Sequence, residues 1–440
     1  MIIMKFGGTS VGNADRIRKT AEIIKSRINL KLVVVVSAVA KITDNLIELA
    51  NECATGKGED VFDNIKKIHL NIINQLNLDN SLLNEDFSEL SQLAEQTRQN
   101  RKSDAGILDN FQSFGERMSS KIVSAFLNKN GILSQAFNSW DLGLVTTNDF
   151  GNAEPLESSY SNIKNNIIKL NLIPVITGFI GKSEENQITT FGRGGSDYSA
   201  AIFGSAIDAD EIQIWTDVDG MMSADPKVVP SAKTIKSISF DEASELAYFG
   251  ARVLHPKTLL PAIDKSISVR VLNTFNPQHQ GTTITKKSLH DDKIVKAIAC
   301  KKNITLINIK SSRMLGAYGF LAKIFSIFSK YGKSVDVIAT SEVAVSLTID
   351  DNENVDKIVD ELNEVSLTTL STNKSIICVV GDGMKNEPAI AGRIFSTLGK
   401  EIINIEMISQ GASQINLTFI IDGKDAEKSV NLLHNEFFGA

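Results

Sequence analysis

The chain has few of the features that mark secreted or membrane proteins. Its three cysteines among 440 residues are scattered, at Cys53, Cys300 and Cys378, so they predict neither a disulfide framework nor a zinc site. No apolar run reaches the roughly 18 residues that a membrane-spanning helix needs. The first residues show neither the charged region nor the cleavage site of a signal peptide. We therefore expect a cytoplasmic protein that does not bind membranes.

An excess of positive charge is also missing. The 46 Lys and Arg residues stand against 52 Asp and Glu residues, which gives a net charge of −6. Without a broad basic field the chain is not expected to bind nucleic acid. Hydrophobic residues make up 42% of the chain and charged residues 22%, as is usual for a globular protein. The length allows two or three domains.

What the sequence does contain is a glycine turn close to its beginning, in the stretch Lys5-Phe-Gly-Gly-Thr-Ser-Val11. The apolar residues before it predict a buried strand, and residues 16–28 predict a helix. A strand, a glycine turn and a helix together present backbone N–H groups to an anion. The stretch matches neither GxxxxGK[ST] nor GxGxxG. From the residues alone, a phosphate site and a plain strand-to-helix turn are about equally favoured.

Further β-branched runs follow, at residues 30–37, 132–140, 173–179, 211–218 and 269–272, with helical patterns between them. This alternation predicts one doubly wound sheet. Ligand loops of such sheets lie at the carboxyl ends of the strands. Ser37, Thr43 and Asp44 follow the second run, although Thr43 or Asp44 could equally cap the next helix.

Two later stretches contain charged groups of interest. In Phe191-Gly-Arg-Gly-Gly-Ser-Asp197, Arg193 could hold a carboxylate or phosphate, and the alternative is a capped turn with Arg193 in a surface ion pair. The helix predicted over 107–128 has a clear apolar stripe, and Glu116 lies off it. By composition alone, Glu116 is a solvated surface carboxylate.

The last third of the chain repeats itself. Polar residues 276–292 are the best candidate for a linker, and beyond them Lys323-Ile-Phe-Ser326 and Arg393-Ile-Phe-Ser396 align at an offset of 70 positions. Val335-Asp336 and Ile405-Glu406 align at the same offset. The self-similarity predicts two βαββα units in tandem.

Taken in order, these motifs resemble those of the aspartokinases, in the amino-acid kinase family. The resemblance includes the opening stretch, the second glycine loop, Thr216-Asp-Val-Asp-Gly220 and Phe249-Gly-Ala-Arg-Val-Leu-His-Pro256, and the paired C-terminal units resemble ACT domains. It implies an α/β protein. An N-terminal αβα sandwich with a mostly parallel open sheet would span 1–285. Two ferredoxin-like ACT units would fill 294–440, at about 304–370 and 376–440, with the first inserted into the second. The length leaves no room for the homoserine dehydrogenase domain of bifunctional relatives.

The resemblance also implies an activity, which is transfer of the ATP γ-phosphoryl group to the β-carboxylate of L-aspartate. Lys5 and Asp197 would be the catalytic residues. The ATP contacts would be Lys5, Phe6, Gly7, Gly8, Thr216, Asp217, Met222, Lys227 and Arg252. The substrate contacts would be Ser37, Thr43, Glu116, Arg193, Gly194, Gly195 and Ser196.

Three of these positions depart from the commonest family pattern. Met222 stands where tyrosine is usual, Lys227 replaces an arginine, and Arg252 replaces a lysine. The last two keep the charge but lose or gain a bidentate fork, so they affect the details of ATP contact. No metal cage of protein ligands is expected, because Mg²⁺ in such sites is held mostly by phosphates and water.

Regulation is implied as well. The first ACT unit resembles the effector region of lysine-inhibited aspartokinases, which implies feedback inhibition by L-lysine; the alternative is a loop that only packs an ACT–ACT interface. The effector contacts would be Met314, Ala317, Gly319, Phe320, Leu321, Val335, Asp336, Thr340 and Ser341. A homodimer through the ACT units is expected, and dimers could pair further. The competing hypotheses for function are a glutamate-type amino-acid kinase and a non-catalytic amino-acid sensor.

Overall fold

The computed structural model describes residues 1–250, 254, 256–287, 293–311, 318–411 and 413–439. They form two compact units. The first contains Met1–Met221, Lys236–Phe240 and Val253–Leu289, and the second contains Met222–Ile235, Asp241–Arg252 and His290–Ala440. Within the described residues, no helix has the length and apolar character that crossing a membrane requires.

The first part of the chain alternates strands with helices. Its elements are β1 (Ile2–Phe6), α1 (Ala14–Lys25), β2 (Leu32–Val36), α2 (Ile42–Ala54), α3 (Glu59–Gln75), α4 (Asn84–Asn100), α5 (Ala105–Lys129), β3 (Ser134–Phe137), α6 (Glu157–Ile167), β4 (Ile173–Thr177), β5 (Ile180–Lys182), β6 (Ile188–Thr190), α7 (Gly195–Ala206), β7 (Glu211–Thr216), β8 (Ser237–Ser239), α8 (Phe240–Tyr248), α9 (Leu260–Asp264), β9 (Ser268–Asn273) and β10 (Thr282–Thr285).

Eight of these strands form one open sheet in the order β3-β4-β2-β1-β7-β9-β10-β8. All neighbouring pairs are parallel except β9 with β10. The predicted α/β class with a mostly parallel open sheet is therefore confirmed. Strands β5 and β6 form a separate antiparallel hairpin.

Alternation along the central strands builds the layers on the two faces of the sheet. Met4 and Phe6 of β1 belong to a buried apolar cluster with residues from α1 to α5. Ile3 points the other way, because successive side chains alternate between faces, and a Cβ on Gly204 of α7 would lie 3.4 Å from Ile3 Cγ1. Lys5 shares the face of Ile3, so its ammonium is directed toward the side on which α7 packs.

The second unit contains a strand-rich repeat. Its elements are β11 (Ala297–Lys310), α10 (Phe320–Lys330), β12 (Ile338–Thr340), β13 (Ala344–Ile349), α11 (Val355–Asn363), β14 (Leu367–Val380), α12 (Ile390–Lys400), β15 (Ile405–Ser409), β16 (Asn416–Asp422) and α13 (Ala426–Phe438).

These strands form an antiparallel sheet in the order β12-β13-β11-β14-β16-β15. Helices α10 and α12 begin at 320 and 390 and end at 330 and 400, which is the offset of 70 that the sequence predicted. Each long strand, β11 and β14, has one half in each βαββα unit.

One prediction from the sequence differs from the structure, because the supposed linker 276–292 contains β10, a strand of the main sheet. Segments 222–235 and 241–252, which the sequence assigns to the kinase domain, belong to the second compact unit. The domain boundaries stay a prediction.

Candidate active site

Loops from several parallel strands meet at the carboxyl edge of the main sheet. Strands β1, β2, β4 and β7 are parallel neighbours, so the turns that follow them lie side by side. A cavity of about 340 Å³ opens there. It is lined by Lys5, Gly8, Ser37, Ala38, Val39, Ala40, Lys41, Thr43, Asp44, Glu116, Phe179, Gly192, Gly194, Gly195, Ser196 and Asp197.

Lys5 and Asp197 form an ion pair in this cavity. Lys5 Nζ lies 2.5 Å from Asp197 Oδ1, and their side chains are 10% and 11% exposed. Lys5 is on the fourth position of β1 and Asp197 is in the first turn of α7, so the pair joins the sheet to the helix beside it. The pairing holds the ammonium in a fixed direction while it remains a donor toward the cavity.

Glu116 is the second charged group of the cavity, and its side chain comes from α5. Glu116 is only 2% exposed, so its assignment to the surface from composition is wrong. Its Oε1 accepts a hydrogen bond from the backbone N–H of Ala38 at 3.0 Å. Its Oε2 has no hydrogen-bond partner among the described residues. Burial raises the pKa of Glu116 to about 8, against the opposing effects of the Ala38 N–H and the Lys5 charge.

A glycine next to Glu116 allows this arrangement. A Cβ on Gly115 would lie 2.6 Å from Ala38 Cβ, so a larger residue would push α5 away from the loop after β2. Close approach of helix and loop is what brings the Ala38 N–H within reach of Glu116. The strand-end loop and the helix therefore form one wall of the cavity.

The second glycine loop forms another wall. Gly194, with φ of 74°, caps the N-terminus of α7, and Gly195 and Ser196 are its first residues. Backbone N–H groups at a helix N-terminus favour an anion. Arg193 is exposed and is not among the residues that line the cavity. The structure thus brings together Ser37, Thr43, Glu116, Gly194, Gly195 and Ser196 of the predicted substrate contacts, and leaves Arg193 outside.

The predicted nucleotide contacts are spread over both units. Gly8 lines the cavity. Gly7 donates its N–H to the Trp215 carbonyl at 3.1 Å, next to Thr216 at the end of β7. The Phe6 ring is buried against Trp215, with centroids 5.9 Å apart, so its side chain belongs to the core.

The other predicted nucleotide contacts that the structure describes do not line the cavity. Thr216 Oγ1 donates to Asp217 Oδ1 at 3.2 Å, and neither residue lines the cavity. Met222 and Lys227 belong to the second unit, and Lys227 is exposed. Arg252 lies outside the described residues. The roles of all these positions in nucleotide binding stay predictions.

The predicted effector contacts that the structure describes belong to the second unit, and Met314 and Ala317 lie outside the described residues. Gly319 caps α10 with φ of 78°, and Phe320 begins the helix. The exposed candidates are Gly319, Leu321, Thr340 and Ser341, and Val335 is half-buried.

Asp336 differs from these residues because it is buried and already has partners. Its side chain is 4% exposed, and its Oδ1 accepts hydrogen bonds from Tyr248 Oη and Lys301 Nζ, both at 2.9 Å. Its Oδ2 has no hydrogen-bond partner among the described residues. Burial and the neighbouring Asp336 charge raise the pKa of Tyr248, which keeps the phenol a donor.

Some lining residues were missed from the sequence. Phe179 and Lys41 both lie in the cavity wall, and both have positive φ angles, 65° and 69°. Phe179 directly follows the glycine that ends the strand pattern of β4, which was the available signal. Lys41 is separated from Ser37 by three small or apolar residues and gave no pattern of its own.

No metal centre stands out in the part of the chain that the structure describes. Groups of three or more His, Cys, Asp or Glu side chains placed to hold an ion are absent there. Asp44, Glu116 and Asp197 line the cavity, and Asp197 is paired with Lys5.

Comparison of the sequence with known proteins identifies its family. The amino acid kinase family model matches residues 1–273, and an ACT domain model matches residues 377–437. The chain is 36% identical to lysine-sensitive aspartokinase 3 of Escherichia coli, over 100% of this chain and 99% of that protein. It is 38% identical to chloroplastic aspartokinase 2 of Arabidopsis thaliana, over 99% of this chain and 84% of that one.

Solved structures agree with the sequence matches. Aspartokinase III of E. coli, in a structure described as a complex with aspartate and ADP, superposes with a TM-score of 0.85 at 34% identity and covers 100% of both chains. The aspartate kinase of Clostridium acetobutylicum superposes with a TM-score of 0.84 at 32% identity, over 99% of this chain and 100% of that chain. This chain belongs to the aspartokinases, within the amino acid kinase family.

Proposed function

We propose that this protein is an ATP-dependent aspartate kinase that forms 4-phospho-L-aspartate and is inhibited by L-lysine. One observation supports the proposal above all others. One cavity contains the buried carboxylate of Glu116, with one oxygen unpartnered among the described residues, and the buried ammonium of Lys5, which is paired with Asp197. The first suits a substrate ammonium, and the second suits an anion that develops charge during phosphoryl transfer.

The amino-acid substrate would bind by its charged ends. Its α-ammonium would donate to Glu116 Oε2, because a buried carboxylate oxygen without a partner is costly until a donor reaches it. Its α-carboxylate would accept from the loop at the N-terminus of α7, where Gly194 and Ser196 lie. Arg193, on the same loop, would join this contact only after the loop changes conformation.

The chemical step needs positioning more than proton transfer. The β-carboxylate of aspartate is ionised at neutral pH, so no general base is required. One of its oxygens would form a bond to the γ-phosphorus while the bond from that phosphorus to the bridging oxygen of ADP breaks. Lys5 would stabilise the charge on the phosphoryl oxygens, held in direction by Asp197.

Magnesium would enter with the nucleotide. ATP normally reaches a kinase as its Mg²⁺ complex, in which phosphate oxygens and water supply most of the ligands. The Mg²⁺ ion would therefore be part of the nucleotide substrate.

Inhibition by lysine is supported by two findings. One relative is named a lysine-sensitive aspartokinase. A second E. coli aspartokinase III structure, described as a complex with lysine and aspartate, superposes with a TM-score of 0.83 at 34% identity, over 100% of this chain and 99% of that chain. Asp336 has a buried carboxylate with one oxygen unpartnered among the described residues, and it would receive an ammonium of the effector.

A hydroxamate assay tests the activity. The purified chain is incubated with ATP, Mg²⁺, hydroxylamine and either aspartate or glutamate, and the acyl hydroxamate is measured by its ferric complex. We expect product with aspartate and little with glutamate. Product with glutamate alone would favour a glutamate-type kinase. Binding of amino acids without product from either substrate would favour a non-catalytic sensor.

Replacing Lys5 tests the mechanism. Lys5→Ala should lower kcat about 10²- to 10³-fold, the loss expected when one donor to the transition state is removed. Lys25→Ala, an exposed lysine on α1, is the matched control and should leave kcat unchanged. Circular dichroism checks that both variants fold. A folded Lys5→Ala variant with normal kcat would remove Lys5 from the chemical step.

The quaternary structure stays a proposal as well. We infer a homodimer through the ACT units, because the second unit exposes large apolar side chains on its strands, among them Leu367, Leu370 and Ile408. Multi-angle light scattering of the purified chain gives its mass, and a monomer at micromolar concentration would reject the dimer.

A further inference from the structure

A buried aspartate that the proposed mechanism does not use lies on α5. Asp109 is 1% exposed, although it carries an ionisable carboxyl group in a part of the chain with no cationic partner for it among the described ion pairs. Burial raises the pKa of Asp109. A buried carboxyl group is retained at such a position only where hydrogen bonds compensate for the loss of water.

Three hydrogen bonds compensate Asp109 for the loss of water, and their donors belong to Gly151 and Thr190. Asp109 Oδ2 accepts the backbone N–H of Gly151 at 2.9 Å and that of Thr190 at 2.8 Å. Asp109 Oδ1 accepts from Thr190 Oγ1 at 2.9 Å. Thr190 is the last residue of β6, directly before the glycine loop 191–197, most of which lines the cavity. Asp109 therefore fixes the point at which this loop begins.

The second loop is tied to the same point. Ala153 donates its N–H to the Thr190 carbonyl at 2.9 Å. A Cβ on Gly192 would lie 2.6 Å from the Gly151 carbonyl oxygen, so these two loops touch backbone to backbone. Asp109 thus binds both Gly151 and Thr190 by hydrogen bonds, and Gly192 of the glycine loop packs against Gly151.

Asp109 and Glu116 also share one face of the same helix. Seven residues are close to two full turns of an α-helix, or about 10 Å along its axis. Helix α5 thus presents two inward carboxyl groups. Glu116 lines the cavity, and Asp109 holds Thr190, the residue before a glycine loop that also lines it.

We propose that Asp109 is a positioning residue, which fixes the glycine loop 191–197 at the distance from Glu116 that an α-amino acid needs. The inference rests on the proposed function. In it, Glu116 receives the substrate ammonium and the loop receives the α-carboxylate. Asp109 itself contacts neither substrate, and it acts only through the backbone of Thr190 and Gly151.

The test compares three variants by steady-state kinetics. Asp109→Ala leaves the buried Thr190 N–H and the partly buried Gly151 N–H without their acceptor, so the loop shifts and KM for aspartate rises. A misplacement of about 1 Å can cost up to about 10²-fold, and we expect a rise of at least about tenfold. Asp109→Asn keeps the shape. Its amide oxygen can accept both N–H groups while its NH₂ donates to the Thr190 hydroxyl, which can also accept, so KM should stay within about threefold of the wild-type value.

Asp104→Ala is the matched control. Asp104 caps the N-terminus of the same helix by accepting the Ile107 N–H, and losing such a cap costs about 1 kcal/mol of stability. It has no contact with the loop among the described hydrogen bonds. Both alanine variants should therefore lower the melting temperature, and only Asp109→Ala should raise KM. An equal KM in Asp109→Ala and Asp104→Ala would overturn the proposal, as would a failure of Asp109→Asn to restore KM.

A substrate-independent readout separates this proposal from the activity. Hydrogen–deuterium exchange of peptides that cover 190–198 should become faster in Asp109→Ala and not in Asp104→Ala or Asp109→Asn. If the wild-type chain does not phosphorylate aspartate, the proposed function fails, and faster exchange confined to Asp109→Ala still supports the loop-fixing role. Unchanged exchange in Asp109→Ala would overturn that role whatever the substrate is.

Discussion

Glu116 and Asp336 are buried carboxylates in two different units, and each has one oxygen without a partner among the described residues. They differ in how their charge is balanced. Glu116 accepts one backbone N–H, from Ala38, and has no ion pair among those described. Asp336 is paired with the Lys301 ammonium at 2.9 Å and also accepts the Tyr248 hydroxyl.

The difference separates a carboxylate that needs a cation from one whose charge is already balanced. The ionised form of Glu116 is costly until a cation arrives, so an ammonium that binds there replaces a proton. Asp336 already has a cation beside it, so an effector ammonium that bound there would share the carboxylate with Lys301. We expect the first site to require its ligand strongly and to respond to pH. We expect the affinity of the Asp336 site for an ammonium to depend on the neighbouring Lys301 and Tyr248.

The largest effect should come from neutralising Glu116. Glu116→Gln keeps the shape of the side chain and removes its charge, so the substrate ammonium loses its partner. We expect kcat/KM for aspartate to fall about 10²- to 10³-fold, which corresponds to about 3–4 kcal/mol. Binding of ADP, measured by titration calorimetry, should be unchanged. A kcat/KM within threefold of the wild-type value would show that Glu116 does not hold the substrate.

The pH dependence of KM should be the next largest effect. Since the pKa of Glu116 is raised to about 8, it is mostly protonated at pH 6.5 before the substrate binds. Binding an ammonium then requires release of a proton, so KM for aspartate should fall as pH rises from 6.5 toward 8, by at most about tenfold per pH unit. Initial rates across this range measure it. Glu116→Gln should show no such slope.

The stability of the ligand-free protein offers an independent check of the same pKa. In the unfolded chain the pKa of Glu116 is near its ordinary 4.5, and in the folded chain it is about 8. Between these values the folded state holds a proton that the unfolded state has lost. The stabilising contribution is therefore complete below about pH 4.5 and is lost as pH rises through about 8. As pH rises from about 4.5 to about 8, the melting temperature of the wild type should therefore fall relative to that of Glu116→Gln. A constant difference between the two melting temperatures across this pH range would contradict the raised pKa.

The origin of Glu116's burial also shows where sequence reasoning stops. From its helix alone the residue was assigned to the surface, because a charged residue off an apolar stripe is usually solvated. It is buried because the loop after β2 packs against Gly115, and that loop is 78 residues away along the chain. The family resemblance implies a substrate-binding role for Glu116 that helix periodicity does not suggest, and that role stays a prediction.

Other elements follow the same division between local and long-range causes. Helices α10 and α12 were predicted from a repeat within the sequence, and they occur at the expected offset. Strands β5, β6 and β8 have three residues each, which is too short for alternation to reveal. Asp109 gave no signal either, since its partners lie 42 and 81 residues away.

The smallest effect should come from removing the Lys301 cation that pairs with Asp336, the carboxylate that we propose receives the effector. Lys301 also pairs with Asp350 at 2.8 Å, so Lys301→Met frees two carboxylates, of which Asp336 is buried. Because a buried carboxylate without a cation favours any ammonium that can reach it, we expect half-inhibition at a lysine concentration about three- to fivefold lower, or about 0.6–1 kcal/mol. Asp336→Asn is the matched variant, and it should lose inhibition while keeping uninhibited activity. If Lys301→Met instead needs more lysine, then Lys301 helps to hold the effector and does not compete with it.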